Sequence, residues 1–177
     1  MEVFQGRPAD VTDRLEKEIA VYDLLDQLDI PFRRVDHDHA DTMEMCQEID
    51  QALGQDICKN LFLCNRQKTK FYLLLMPGDK PFKTKDLSAQ IGSSRLSFGG
   101  PEDMERLLNL TPGSVTVLGL MYDPDCQVTL LIDQDLYQQT AFGCHPCINT
   151  STVQFSTADF REKLLPALGH PVTLVQL

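Results

Sequence analysis

KNLFLCNRQKTKFYLLLM, residues Lys59 to Met76, decides what kind of sheet this chain can build. KNLFLCN and KFYLLLM are strand-forming apolar runs joined only by RQKT. So short a joint returns the chain antiparallel, because a parallel neighbour needs a crossover of a dozen or more residues. MPGD then reads as a turn leaving the second strand.

Elements of both kinds follow on either side. Downstream, Thr84 can cap a short helix bearing Leu87 and Ile91, RLSF is a strand, and PEDMERLLN is a helix with Pro101 at its start. SVTVLGLMYD and QVTLLID around the turn PDC predict a second hairpin; STADFREKLLPALG predicts a helix and VTLVQL a last strand. Upstream, Thr12 or Asp13 can cap a helix with Leu15, Ile19, Tyr22, Leu25 and Leu28 at helical spacing, ending at Ile30-Pro31. FRRVDH reads as a strand, and a helix from about Thr42 presents Met45, Ile49 and Leu53 before Gly54 closes it. Interleaved helices and strands with close hairpins predict a mixed α/β (α+β) fold: a curled, largely antiparallel sheet with helices packed around it.

A chain of 177 residues without repeats or a linker is expected to be one domain spanning 1–177, large enough to form a core without metal or disulfide staples. No apolar run approaches a membrane span, and the first residues lack the apolar segment of a signal peptide, so the expectation is a cytoplasmic protein with reduced thiols. Net charge is −10. It is unevenly spread: Lys59 to Arg95 carries eight Lys or Arg against two acids, while residues 1–58 and 96–177 carry −10 and −6. An acidic body with one basic segment suits contact with the end of a polyanion better than wrapping one. Solvated lysines on turns and helix faces would give the same count.

FGCHPCINT, Phe142 to Thr150, holds a CxxC. A redox dithiol needs its first cysteine at a helix N-terminus, and the β-branched INTSTVQF that follows predicts strand or loop instead. A zinc site needs about four ligands, and the other cysteines, Cys46, Cys58, Cys64 and Cys126, are scattered. The expectation is no metal and no cofactor. His145, beside the φ-restricted Pro146 and after the permissive Gly143, reads either as a structural histidine or as the one functional residue of this stretch.

KNLFL, then RLSFGGPEDMERLLNLTPGSVTVLGL, then HPCINTST, in that order and spacing, resemble the YbaK/ProX family of free-standing tRNA-editing domains, most closely its prolyl-tRNA editing deacylase branch. The resemblance covers nearly the whole chain. It implies a mixed α/β editing domain that hydrolyses tRNA for proline mischarged with a small amino acid, typically alanine. The partner it implies is the acceptor end of aminoacyl-tRNA, with prolyl-tRNA synthetase as a further candidate. The alternatives are cysteinyl-tRNA deacylation and a non-catalytic module that binds aminoacyl-tRNA or an amino acid.

By the same resemblance, Lys59 and Asn60 correspond to the family's active-site lysine and its neighbour, His145, Pro146 and Asn149 to its histidine-proline loop, and Gly119 to a glycine in a strand facing the pocket. Val117 and Leu118 stand where relatives carry proline and phenylalanine, which bears on amino-acid preference. An aminoacyl ester is already activated, so its hydrolysis asks for a positioned water, oxyanion donors and a pocket of the right size. Lys59 is cast as a cation for the terminal nucleotide, and Asn60 as a partner for the ester carbonyl or α-amine. His145 would orient ribose hydroxyls or water, with N–H groups near Gly143 and Gly119 as oxyanion donors. Arg95 and Phe98 would meet the terminal adenine by stacking, against the plainer reading of Phe98 as a core strand residue.

Overall fold

The computed structural model describes residues 1–177. The strands are β1 (Phe4–Gln5), β2 (Arg33–Asp36), β3 (Lys59–Cys64), β4 (Phe71–Met76), β5 (Ser97–Phe98), β6 (Val128–Asp133), β7 (Ala141–Cys144), β8 (Ser151–Ser156) and β9 (Val172–Val175). They form two sheets, one ordered β1-β2-β8-β7 and one β5-β3-β4-β6-β9. The first is antiparallel throughout. In the second, β3 pairs antiparallel with β4 and β5, whereas β6 runs parallel to β4 and β9 parallel to β6. The mixed α/β expectation holds, with the antiparallel pairings divided between two sheets.

The β3–β4 hairpin forms as its sequence predicts, with Lys59 opposite Met76 and Cys64 opposite Phe71. Every residue of β4 is buried. Its odd positions, Phe71, Leu73 and Leu75, join the principal core of 31 residues, and its even positions, Tyr72, Leu74 and Met76, join a smaller cluster on the opposite face. The principal core also takes Phe142, Val153 and Phe155 from the first sheet. Both sheets thus bury one face in common, and the loops at their margin form the site described below.

The second hairpin does not form. Val117–Tyr122 is a 3-10 helix, entirely buried from Val117 to Leu120. Its backbone is captured by neighbours: Asn60 Oδ1 accepts the Val117 N–H at 3.0 Å, and Thr116 Oγ1 accepts the Leu118 N–H at 3.3 Å. Gly119 therefore lies in this helix and not in a strand. Its N–H donates to Thr116 O at 3.1 Å, and a Cβ there would stand 2.6 Å from Leu110 Cδ1 and 3.2 Å from Leu108 Cβ. Close packing favours glycine at 119, and its N–H is already engaged, so the expected oxyanion role is withdrawn.

Helix α1 (Glu16–Gln27) starts later than its sequence predicts, with Leu15 as N-cap and no side-chain cap; Thr12 Oγ1 donates to Asp10 Oδ1. Leu15 is 57% exposed, and the buried face is Glu18, Val21, Tyr22 and Leu25. Helix α2 (Met43–Leu53) begins and ends as expected: Thr42 Oγ1 accepts the Met45 N–H at 3.1 Å, a cap contributing about 1 kcal/mol, and Gly54 closes it at φ 70°. In α3 (Thr84–Ile91) the N-cap is Lys83, and Thr84 is the first helical residue. Helix α4 (Pro101–Leu108) follows its sequence signature, with Pro101 in the first turn. The C-terminal helix, Thr157 to Leu168, carries a π-helical turn at Phe160–Leu164 and is capped by Ser156 Oγ on the Asp159 N–H. No helix is long and apolar enough to cross a membrane.

Candidate active site

On a strand, neighbouring side chains point to opposite faces, and this decides which residues at the start of β3 can share a cavity. Cys58 and Asn60 face one way, toward the principal core; Lys59 shares its face with Leu61 and Leu63, toward the smaller cluster. A cleft of about 230 Å³ opens on the Asn60 face, lined by Ile57, Cys58, Asn60, Gly113, Val115, Cys144 and His145. Lys59 is not among them. Its Nζ instead donates to the carbonyl oxygen of Lys80 at 2.5 Å.

Asn60 is braced on both ends of its carboxamide. Besides holding the Val117 N–H, it donates from Nδ2 to Cys58 O at 3.3 Å and Cys58 Sγ at 3.2 Å. The Cys58 thiol in turn donates to Gly143 O at 3.3 Å, so β3 and β7 are stitched across the floor of the cleft. Gly143 sits within β7 opposite Gln154 of β8. A Cβ at 143 would meet only ordinary contacts, the nearest being Ile57 Cδ1 and Val153 O, each at 3.7 Å.

His145 follows β7 directly. Its Nδ1 lies 2.8 Å from Ser151 O. A carbonyl oxygen can only accept, so the proton sits on Nδ1 and Nε2 carries the free lone pair. Burial lowers the His145 pKa, the Ser151 hydrogen bond partly offsets this, and the ring of His37, 6.1 Å away, lowers it further. The result is an imidazole held neutral with one acceptor available. Ser151 is itself fixed: its one hydroxyl proton points to Asp36 Oδ1 at 2.6 Å, with Val35 O also close at 3.0 Å. Asp36 is gripped by Arg14 at 3.0 Å and by Arg34. Burial alone would raise the Asp36 pKa, but Arg14, Arg34 and Ser151 together hold it far below the usual carboxylate range.

The rest of the histidine-proline loop lies outside this cleft, with Asn149 in the lining of a neighbouring one. Pro146 and Cys147 are buried, and Cys147 adopts φ 64°. Asn149 clasps the segment after β2, donating to Asp41 Oδ1 at 2.9 Å and accepting the Ala40 N–H at 3.1 Å. Gly113 passes beside it at φ 88°, where a Cβ would come within 3.0 Å of Asn149 Nδ2, so both conformation and space demand glycine. A second, polar cleft of about 600 Å³ lies beside the same loop, reaching Arg14, Lys17 and His39.

Arg95 and Phe98 lie elsewhere. Both are exposed, Phe98 by 63%, which rules out its reading as core. Phe98 pairs with Leu63, three residues along β3 from Asn60, a rise of about 10 Å. Of the residues named from sequence, the cleft brings together Asn60 and His145, with Gly143 behind its floor, and leaves Lys59, Arg95 and Phe98 outside it. Sequence reasoning missed Ile57, Cys58, Val115 and Ser151. Cys58 was within reach, because residues two apart on a strand share a face, whereas Ser151 acts through its backbone carbonyl and leaves no signal in its side chain.

Cys144 and Cys147 are buried thiols, each pushed up to about 12 by burial. Neither begins a helix, in agreement with the strand or loop context expected for them.

Residues 37–163 match the family model of the aminoacyl-tRNA editing domain. The chain is 31% identical over 163 residues to the prolyl-tRNA editing protein ProX of Acetoanaerobium sticklandii, covering 92% of this chain and 99% of that protein. It is 28% identical over 169 residues to prolyl-tRNA synthetase associated domain-containing protein 1 of Danio rerio, covering 94% and 88%. In fold it is similar to a solved structure described as a proposed trans-editing enzyme for prolyl tRNA synthetase, with a TM-score of 0.66 at 17% identity over 92% of this chain and 98% of that one.

Proposed function

This chain belongs to the aminoacyl-tRNA editing domain family, and from that premise we propose that it is a trans-acting deacylase that hydrolyses the ester of proline tRNA mischarged with alanine, acting as one editing domain over residues 1–177. The observation that carries this reading is the small cleft between β3, β7 and the 113–115 segment, with a neutral histidine in its wall. A cavity of about 230 Å³ accommodates a small aminoacyl group, not a nucleotide. Its walls, Ile57, Val115, Cys58 and Cys144, offer a methyl group apolar contact, and exclusion of a larger side chain by clash is the sharper form of discrimination.

In this reading water attacks the ester carbonyl and its proton passes to an acceptor. The ester C–O bond then breaks, and the ribose oxygen leaves with a proton. His145 Nε2 is the acceptor available to the water or to a ribose hydroxyl. Asn60 acts as a brace that fixes the cleft wall, since both ends of its amide are engaged. The developing oxyanion falls to backbone N–H groups of the segment around Gly143. Lys59, on the other face of β3, serves the phosphate or ribose end of the terminal nucleotide at the cleft rim; Arg95 and Phe98 serve RNA farther along the acceptor strand. The partner is the acceptor end of aminoacyl-tRNA, with prolyl-tRNA synthetase as the source from which the mischarged tRNA arrives.

The test is to incubate purified protein with alanyl-, cysteinyl- and prolyl-tRNA and follow loss of the labelled amino acid. Alanine is expected to be released fastest and proline spared. Faster release of proline than alanine would overturn size exclusion, and preferential release of cysteine would move the assignment to a cysteinyl-tRNA deacylase.

A further inference from the structure

Two lysines meet at the corner where β4 leaves the sheet. Lys80 lies in the Pro77–Pro81 segment, and its ammonium sits 2.8 Å from Asp133 Oδ2 and 2.8 Å from Asp135 Oδ2. Asp133 ends β6 and is fully buried, so an ionised carboxylate there needs a cation. The backbone carbonyl of the same Lys80 receives the Lys59 ammonium. Lys59 is in no salt bridge, so its charge is oriented by a carbonyl dipole and left without a carboxylate partner. Close behind, Gly78 is pressed so tightly against Ile57, a wall residue of the cleft, that a Cβ would lie 2.2 Å from the Ile57 carbonyl oxygen.

We propose that Lys80 is a positioning residue for Lys59: it occupies the carboxylates of Asp133 and Asp135, which would otherwise capture the Lys59 ammonium, and it offers that ammonium its own carbonyl. One lysine neutralises the acids so that the other keeps its charge for an anion. Lys59 stands opposite Met76 and Leu75 opposite Ile132, so Asp133 lies two strands from Lys59 on the same row, and without a competitor its carboxylate would draw the Lys59 ammonium into a pair, making it a weaker ligand for phosphate. The inference rests on the reading of Lys59 as a cation for the terminal nucleotide.

A double-mutant cycle on alanyl-tRNA deacylation tests it. Lys80→Met is expected to raise KM roughly tenfold with kcat little changed, as loss of uniform substrate binding requires. Lys59→Ala is expected to lower kcat/KM about tenfold to hundredfold, the loss of one charge-assisted contact. In the Lys59→Ala background, Lys80→Met should cost less than about twofold, because the lysine it protects is gone. Lys80→Arg should restore most of the wild-type KM. Equal losses in both backgrounds, or no loss in the wild type, would overturn the proposal. Should Lys80→Met fail to fold, Lys80→Gln with Asp135→Asn reads the same coupling: removing an acid should recover part of the KM lost in Lys80→Gln, and an unchanged or larger KM would count against it. A Lys59→Ala variant with wild-type kinetics would instead remove the reading of Lys59 on which the inference stands.

Discussion

His145 and Ser151 are joined by a single hydrogen bond, Nδ1–H to the Ser151 carbonyl at 2.8 Å, and that bond fixes which ring nitrogen faces the cleft with its lone pair. The proposed mechanism is built around this neutral imidazole.

The pH dependence follows from that neutrality. Burial and His37 depress the His145 pKa, so the neutral form persists below the ordinary histidine value of about 6.5. The acid limb of kcat/KM is expected below that value, and a pH–rate profile from about pH 4.5 to 8 reads it. For stability the sign is the same: the folded state disfavours the proton. His145 thus costs nothing at neutral pH and increasingly destabilises the fold as pH falls from the unfolded pKa toward the folded one. An acid limb at or above the ordinary value would remove the neutral acceptor from the mechanism.

Thiol reactivity separates the six cysteines. Cys46 and Cys126 are exposed, while Cys58, Cys64, Cys144 and Cys147 are buried. Burial pushes Cys144 and Cys147 up to about 12 and raises Cys58 further. Titration with an aromatic disulfide near pH 8 should register two accessible thiols in the native protein and the other four only on unfolding. Rapid reaction of Cys144 or Cys147 would revive the dithiol reading.

Asp123 and His170 form a buried pair that does not line the cleft. His170 Nε2 lies 3.0 Å from Asp123 Oδ2, and its Nδ1 lies 3.0 Å from Leu168 O. Asp123 also accepts the N–H groups of Gln127 and Val128, which open β6. His170→Phe would take the imidazole partner from the buried Asp123 side chain and leave it only backbone donors, at an expected cost of about 1–3 kcal/mol, that of a buried polar group losing a partner. Urea unfolding measures it, and a loss below about 1 kcal/mol would show the pair to contribute no more than a surface bridge.

Salt dependence tests the charge map. With positive charge concentrated in the Lys59 to Arg95 segment, few phosphates should be neutralised, and tRNA binding should weaken with a log-log slope of only about −2 to −3. Lys83→Glu with Lys85→Glu, both on the exposed start of α3, should raise KM for whole tRNA more than for a short acceptor-stem mimic if they reach beyond the terminal nucleotides. A much steeper slope would mean that cations outside this segment share the contact.

The elements legible in the sequence were those whose signals are local. The RQKT joint gave the first hairpin, Thr42 and Gly54 bounded α2, and Pro101 opened α4. The stretch from Ser114 to Tyr122 was misread because an apolar run buried as a 3-10 helix has the same composition as a buried strand. What separates them is a contact from 57 residues away, the Asn60 carboxamide on the Val117 N–H. Asn60 and His145 were identified and do line one cleft, but treating Lys59 and Asn60 as one group ignored the alternation of a strand. Lys80, counted only as one more positive charge, is engaged by Lys59 at its carbonyl and by two acids more than 50 residues on at its ammonium.

The placement of β8 between β2 and β7 bears on how the site is assembled in time. Arg33 and its partner Gln154 are separated by 121 residues, so β2, though paired early with β1, has to wait for most of the chain before its register with β8 is set. High sequence separation of this kind slows folding. During synthesis, β7 and His145 emerge before the strand that carries the Ser151 carbonyl, so the histidine has no fixed tautomer until β8 inserts. A one-residue slip of β8 would turn its side chains to the wrong faces and move that carbonyl out of reach. Competence of the cleft should therefore appear late and together with completion of the first sheet, and a refolding experiment should find deacylation returning in the slowest phase.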